Sequence, residues 1–257
     1  MDDIIFFVGI PVTFAVISYY IYQYLNSGLI APVEVTEVES VPVLDKTTTL
    51  FYKHHIGSYS EHTSSLKELI SLLPQGASTV QILYDDESTT PSKRLQSAIG
   101  CVFGEEGEDY YTQNYNVQLK RFGYERLVLK PSGKALYSVS SHNQSFFSRL
   151  NVNYRIRPLL KSTFHSLENK PETMVIIQVV DTSKNLVHVF IPLENIEEFI
   201  DAQHLSQDEL DGKLARKRFD SDEESSESEP EISDREISNE SEHNSESEAS
   251  DAESETR

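Results

Sequence analysis

"TTTLFYKHHIGSYSEHTSSLKELISLLPQ", residues 47–75, decides how this chain is read. Its first nine residues are rich in β-branched and aromatic side chains and predict a strand. Gly57 then allows a turn that a residue with a Cβ adopts only at a cost. After the turn, Leu66, Leu69, Ile70, Leu72 and Leu73 recur at helical spacing, and Pro74 and Gly76 end the helix. Tyr59 is expected at the sheet edge. The same stretch crowds His54, His55 and His62 together, which raises the question of a metal or catalytic site. Neighbours on a strand point to opposite faces, so His54 and His55 cannot face one ion. His62 lies beyond the turn, and no Asp, Glu or His set with ligand spacing accompanies it. The stretch therefore reads as the shoulder of a folding unit.

Working outward, the pattern continues and then recurs. "STVQILYDD" (78–86) and "SKRLQSAIGCVF" (92–103) give two further strands, "EEGEDY" a loop, and "YYTQNYNVQLKRFG" a short helix. "KALYSVSS" (134–141) opens a second round. "SFFSRLNVNYRIRPLLKSTFHSL" (145–167) reads as a helix broken near Pro158, and "TMVIIQVVD" and "NLVHVFIPL" as strands flanking the turn "TSKN". The body, 47–200, is thus β-α-β-β, a linker, and β-α-β-β again. Two such halves predict an α+β domain: one antiparallel sheet with both helices on one face.

Before the body, "IIFFVGIPVTFAVISYYIYQYL" (4–25) carries no charge. At about 1.5 Å per residue it reaches roughly 33 Å, enough for a hydrocarbon core of about 30 Å. Tyr19, Tyr20, Tyr22 and Tyr24 cluster at one end, where an interfacial belt would sit. A cleaved signal peptide fits poorly, because the n-region "MDD" has no positive charge and no A-x-A site follows. The expectation is a retained transmembrane signal anchor in 1–25, with 26–46 as its connector. Loop charges do not decide its orientation. The sequons at Asn143 and Asn239 would be glycan acceptors only in a lumenal body.

The acidity of the chain sits at its other end. Residues 220–257 hold sixteen Asp and Glu against Arg235 and Arg257, so they carry −14 of the net charge of −20. With no aromatic residue after Phe219, this segment cannot bury a core and is expected to be a disordered acidic tail. Residues 201–219 read as a helical, basic linker, opened by a capping box of Ser206 and Glu209 and carrying "RKR" at 216–218. Ser221, Ser226, Ser228, Ser233, Ser245 and Ser250 each have an acid three residues on. That is the pattern of casein kinase 2, and each phosphate would add about −1.5 to −2 charges.

Cys101 is the sole cysteine, which excludes an internal disulfide and a Cys-based zinc site. Its apolar surroundings, "SAIGCVF", read as a buried structural thiol. No G-x-S-x-G, H-E-x-x-H or P-loop pattern is present. No catalytic residue, metal site, cofactor or direct nucleic-acid binding is expected, and the chain reads as a non-enzyme.

Several motifs together resemble a known family. "FYKHHIGSYSE" and "VHVFIPL" resemble the strand-Gly-Tyr-helix entry and last strand of GyrI-like (SHS2-type) domains. Taken in order with the N-terminal apolar helix, "LYDDESTTPSKRLQSAIG" and "LKRFGYERL", they resemble the testis-expressed protein 264 family of ER-phagy receptors over residues 1–200. That resemblance implies a single-pass ER membrane protein with a lumenal N-terminus and a cytosolic body. It implies autophagosomes and the nuclear envelope as further locations. It also implies partners: ubiquitin-like autophagy modifiers of the GABARAP type and the valosin-containing AAA ATPase, the latter in repair of DNA–protein crosslinks. A third alternative is a membrane-tethered small-molecule-binding module. Family ligand clefts often carry an acid on the second half's strand, and Gln178 stands there in this chain. A neutral amide neither pairs with a cation nor acts as a general base. The family binds autophagy modifiers through an aromatic-x-x-aliphatic peptide in the tail. Here Phe219 is the remaining anchor candidate, with Asp222 three positions on. Other matches ("YERL" 124–127, "FSRL" 147–150, "FHSL" 164–167, "FIPL" 190–193) fall in elements expected to pack inside.

Overall fold

The β-branched runs become strands of one sheet, and the helical periodicities cover one side of it. The structure is a computed structural model that describes the backbone of residues 9–226 and the side chains of 9–216. In chain order it contains helix α1 (Ile10–Leu25), strands β1 (Thr36–Val38) and β2 (Thr48–Ile56), and helix α2 (His62–Leu72). Strands β3 (Thr79–Leu83), β4 (Gln96–Glu105) and β5 (Glu108–Asp109) follow, then helix α3 (Gln113–Arg121) and strands β6 (Glu125–Leu129) and β7 (Ala135–Ser141). Helix α4 (Phe146–Asn151) continues through a π segment (Val152–Ile156) into α5 (Arg157–Ser166). Strands β8 (Ile176–Asp181) and β9 (Leu186–Pro192), a 3-10 turn (Ile196–Phe199) and helix α6 (Gln207–Ser226) complete the order. The body extends to Leu210, and the residues from Asp211 form a second unit whose described part is helical.

The sheet has nine strands in the order β1-β7-β9-β8-β3-β4-β2-β6, with β5 on β4, and its pairs are antiparallel. The two β-α-β-β units, β2-α2-β3-β4 and β7-α4/α5-β8-β9, meet along β3 and β8. The register there is Thr79↔Val180, Gln81↔Gln178 and Leu83↔Ile176. Reading outward from Gln81 and Gln178, the strand order is the same on both sides, so the halves are related by a pseudo-two-fold axis at this pair. The expected α+β duplication, with an antiparallel sheet and helices on one face, is the architecture found, and it agrees with what the GyrI-like resemblance implies.

Side-chain alternation gives each face its own core. On the helix face, Phe51, Cys101 and Phe103 pack under α2 and α3 with Leu69 and Leu119. Ile176, Val187 and Val189 pack under the second half's helices with Ile156, Leu160 and Phe164. The opposite face is also covered. Val41 and Leu44 from the connector and Phe199 from the 3-10 turn close over Leu50, Ile82, Ile177 and Phe190. The segment 26–46 is therefore part of the fold rather than only a spacer; it supplies β1 and two fully buried apolar side chains, Val41 and Leu44.

Four further expectations change. Tyr59 lies in the core, not at a sheet edge, and its hydroxyl donates to the carbonyls of Asp85 and Gln96. The "EEGEDY" loop holds β5, and β6 adds a strand after α3. Pro158 does not break its helix. Proline crowds the carbonyl four residues back and has no N–H to give it. A π segment precedes it, with the Arg157 N–H reaching the Val152 carbonyl five residues back, and the axis carries on. Helix α6 runs to Ser226 and so takes in the first seven residues of the expected tail, 220–226. A helix once nucleated gains a hydrogen bond per residue, and Glu is a good helix former. The capping box forms as expected: the Ser206 hydroxyl and amide both donate to Glu209. Cys101 is fully buried, and burial pushes its thiol up to about 12.

Glycine is demanded at several places, and two of them shape the central strands. Gly57 turns β2 toward α2 at φ +143°. At Gly100, β4 passes so close to β2 that a Cβ would lie 2.1 Å from the Phe51 carbonyl oxygen.

Among the described residues no helix is long and apolar enough to cross a membrane. The expected span of 4–25 is described only as α1, sixteen residues, and 4–8 lie outside the described part. None of the α1 side chains is buried. Its C-terminal end is fixed to the body: Asn143 Nδ2 donates to the Gln23 carbonyl and to Gln23 Oε1, and Tyr24 packs edge-on against Phe147 at 5.5 Å.

Candidate functional site

The pseudo-two-fold axis emerges on the helix face into a cavity of about 540 Å³. Its floor is the β3/β8 seam, with Thr79, Gln81, Gln178 and Val180. One wall is α2 and the loop after it, through Thr63, Leu66, Lys67, Ile70 and Leu73. The other is the chain from β7 into α4, through His142, Gln144 and Arg149. Helices cover the sheet on either side of the axis but not on it, so a duplicated half-sheet with one helix per half leaves this gap.

The floor amides are held from behind. His62 Nδ1 lies 3.3 Å from Gln81 Oε1, and its Nε2 lies 2.8 Å from Ser97 Oγ. With the glutamine oxygen as acceptor, His62 donates from Nδ1 and accepts the Ser97 hydroxyl at Nε2. On the other half, Arg157 Nη2 donates to Gln178 Oε1 at 2.8 Å. Burial, with smaller contributions from His55 and Arg157, pulls His62 down to about 4 despite the Gln81 bond. Burial and then Arg149 pull His142 down to about 4. Both rings are neutral at pH 7. A serine, a histidine and an orienting group in series resemble an acyl-transfer constellation. Ser97, however, has no exposed surface, and a base with a pKa of about 4 accepts a proton weakly at neutral pH. The chain of bonds holds Gln81 in place.

The histidines of the opening stretch separate as strand alternation requires. His55 faces the helix side, 3.6 Å from Glu61. His54 points into the opposite core, where its Nδ1 lies 2.9 Å from Asp201 Oδ2. Tyr84 donates to the same carboxylate oxygen at 3.0 Å, and the Gln203 amide donates to the other at 2.7 Å. Against the opposing effect of burial, the bonds from His54 and Tyr84 hold Asp201 below the usual carboxylate range. This cluster ties the segment after the 3-10 turn to β2. Among the described residues no group of three or more His, Cys, Asp or Glu side chains could hold a metal ion.

Of the residues singled out from sequence, Gln178 lies in the cavity floor. Ser221, Ser226 and Phe219 lie on α6. An aromatic anchor that adds a strand to a partner's sheet needs extended backbone, and at Phe219 the backbone is helical. Ser228, Ser233, Ser245 and Ser250 lie outside the described residues. Tyr124, Phe164 and Phe190, from three of the internal aromatic-x-x-aliphatic matches, are buried, and Phe147, from the fourth, packs on Tyr24. The residues that sequence reasoning missed are Lys67, His142, Arg149 and Gln81. They come from four elements, and only the strand register brings them together.

No family model matches this chain. No curated protein matches it either. Solved structures show a low similarity of shape. An uncharacterized conserved protein from Listeria innocua is 9% identical at a TM-score of 0.34, over 66% of this chain and 98% of its own. An integron cassette protein from the mobile metagenome of Vibrio cholerae is 10% identical at 0.37, over 64% and 97%. The C-terminal domain of EcmrR is 9% identical at 0.33, over 63% and 97%.

Proposed function

We propose that this chain is a membrane-tethered, non-catalytic receptor or adaptor built on a GyrI-like domain. In this reading it is of the testis-expressed protein 264 type and acts in selective autophagy of the ER. The observation that carries the reading is α1. A helix that is apolar all round is stable only in a protein core or in lipid. Here Phe14 is 71% exposed, and Ile10, Val12, Val16, Ile17 and Ile21 are exposed around the whole circumference. The Gln23–Asn143 and Tyr24–Phe147 contacts would hold the body in one orientation at the membrane surface. The acidic, serine-rich tail would be its phosphorylatable, partner-facing arm.

The test uses the full chain in cells. It is expected to stay with membranes in alkaline carbonate and to raise delivery of an ER-resident reporter to lysosomes. Release by carbonate overturns the tether. Retention without any change in reporter delivery keeps the tether and rejects the ER-turnover role. A second reading, a small-molecule-binding module, is favoured by the cavity on the pseudo-two-fold axis.

A further inference from the structure

Resting on that second reading, we propose that the cavity takes small organic anions, a carboxylate or phosphate headgroup on a short apolar body. The chain has an acidic net charge of −20, yet no Asp or Glu lines the cavity. Lys67 and Arg149 stand on opposite walls, and neither has an ion-pair partner among the described residues. The floor presents donors. The Oε1 of Gln81 is occupied by His62 and that of Gln178 by Arg157, so each amide has its acceptor turned away from the cavity. Neither Nε2 makes a hydrogen bond within the described protein, which leaves two NH₂ groups for a ligand. Across the seam these two residues are register partners, so the donors lie side by side on the axis. His142, 7% exposed, adds a buried ring nitrogen, Nδ1, that has no partner.

Of these groups His142 Nδ1 is buried without a partner, and a buried polar atom is costly to leave unmet. Two cations and two floor NH₂ donors, with only neutral polar groups (Thr, Gln and His142) and no carboxylate beside them, stabilise a negative group and repel a positive one. Leu66 and Ile70 on α2 supply the apolar side. Arg157 fixes the sense of the arrangement. As a half-buried guanidinium behind Gln178, it orients the amide so that nitrogen, not oxygen, faces the ligand.

The test is calorimetric titration of the full chain with four probes sharing one body: hexanoate, hexyl phosphate, hexylammonium and hexanol. Hexanoate or hexyl phosphate is expected to bind saturably, at least tenfold more tightly than hexanol, with no binding of hexylammonium. The stronger of the two anions identifies the headgroup. The Lys67→Glu/Arg149→Glu variant changes only exposed rim residues, and it is expected to lose at least tenfold in anion affinity. Hexanol binding as tightly as the anions would overturn the anion proposal and keep the binding-module reading. Preference for hexylammonium, or anion binding that the variant does not weaken, also overturns it. Absence of saturable binding by any probe would overturn both.

Discussion

At the scale of single residues, close approaches and shared acceptors set the sensitivity of the fold. Gly100→Ala places a methyl group against the Phe51 backbone in the centre of the sheet, where neither strand can move aside. Urea unfolding should show a loss of about 1–3 kcal/mol, the range for overpacking a closed core. Asp201→Ala removes an acceptor shared by His54, Tyr84 and the Gln203 amide. Leaving buried donors unpaired costs roughly 1–3 kcal/mol. Hydrogen exchange should speed up first in 196–205, because Asp201 is what ties that segment to β2. The sequence made some of this legible. The split of His54 and His55 follows from strand alternation alone, and the buried thiol of Cys101 from its apolar neighbours. The partner of His54 did not follow, because Asp201 lies at a sequence distance of 147 residues, where no local pattern reports. Gln178 stood out only through a family resemblance. Gln81, its counterpart across the seam, needed the strand register.

At the scale of elements, the junction between α1 and the body is the most informative. Asn143→Ala removes two hydrogen bonds to Gln23 at about 1 kcal/mol net each. Amide exchange at Asn26 and Ser27, the end of α1, should quicken about tenfold or more, while β8 and β9 keep their protection. The same atom, Asn143 Nδ2, is where a glycan would attach. A glycosylated Nδ2 keeps a single N–H, so a glycosylated body could not make both bonds, and a glycan found there would exclude this docking of α1 as it stands. Elements with strong periodicity or long β-branched runs were readable: β2, α2, β3, β4, β8 and β9. The short ones were not. β1 has three residues, and β6 shows mostly exposed side chains at the sheet edge. The second core was invisible for a different reason. The segments 38–44 and 196–200 have no regular pattern and gain their burial only from the sheet they cover.

At the scale of the whole molecule, acid stability is set by neutral buried histidines. His62 and His142 have folded pKa values of about 4 against an unfolded value of 6.5. Between those values the unfolded chain binds more protons than the folded one, so stability rises with pH. The contribution is fully present above pH 6.5 and is lost as pH falls to about 4. Urea midpoints measured from pH 7 to pH 4.5 should fall steadily. A His142→Gln variant should fall less steeply over the same window. Asp86, Asp181 and Asp201, all held below the usual carboxylate range, add a further loss only at lower pH.

The seam at Gln81 and Gln178 joins segments about a hundred residues apart, while the pairings inside each half are shorter in range. Chain-closure entropy grows with the length of the loop that must close, and long-range pairings slow folding. Each half can assemble before the two meet, so the seam is the step that forms late. The cavity floor is that seam, and no cavity exists until it closes. A ligand held there makes its contacts after the rate-limiting barrier to folding. It should leave the refolding rate nearly unchanged and slow unfolding in proportion to occupancy. Stopped-flow kinetics with and without hexanoate would show the difference in a single limb of the chevron.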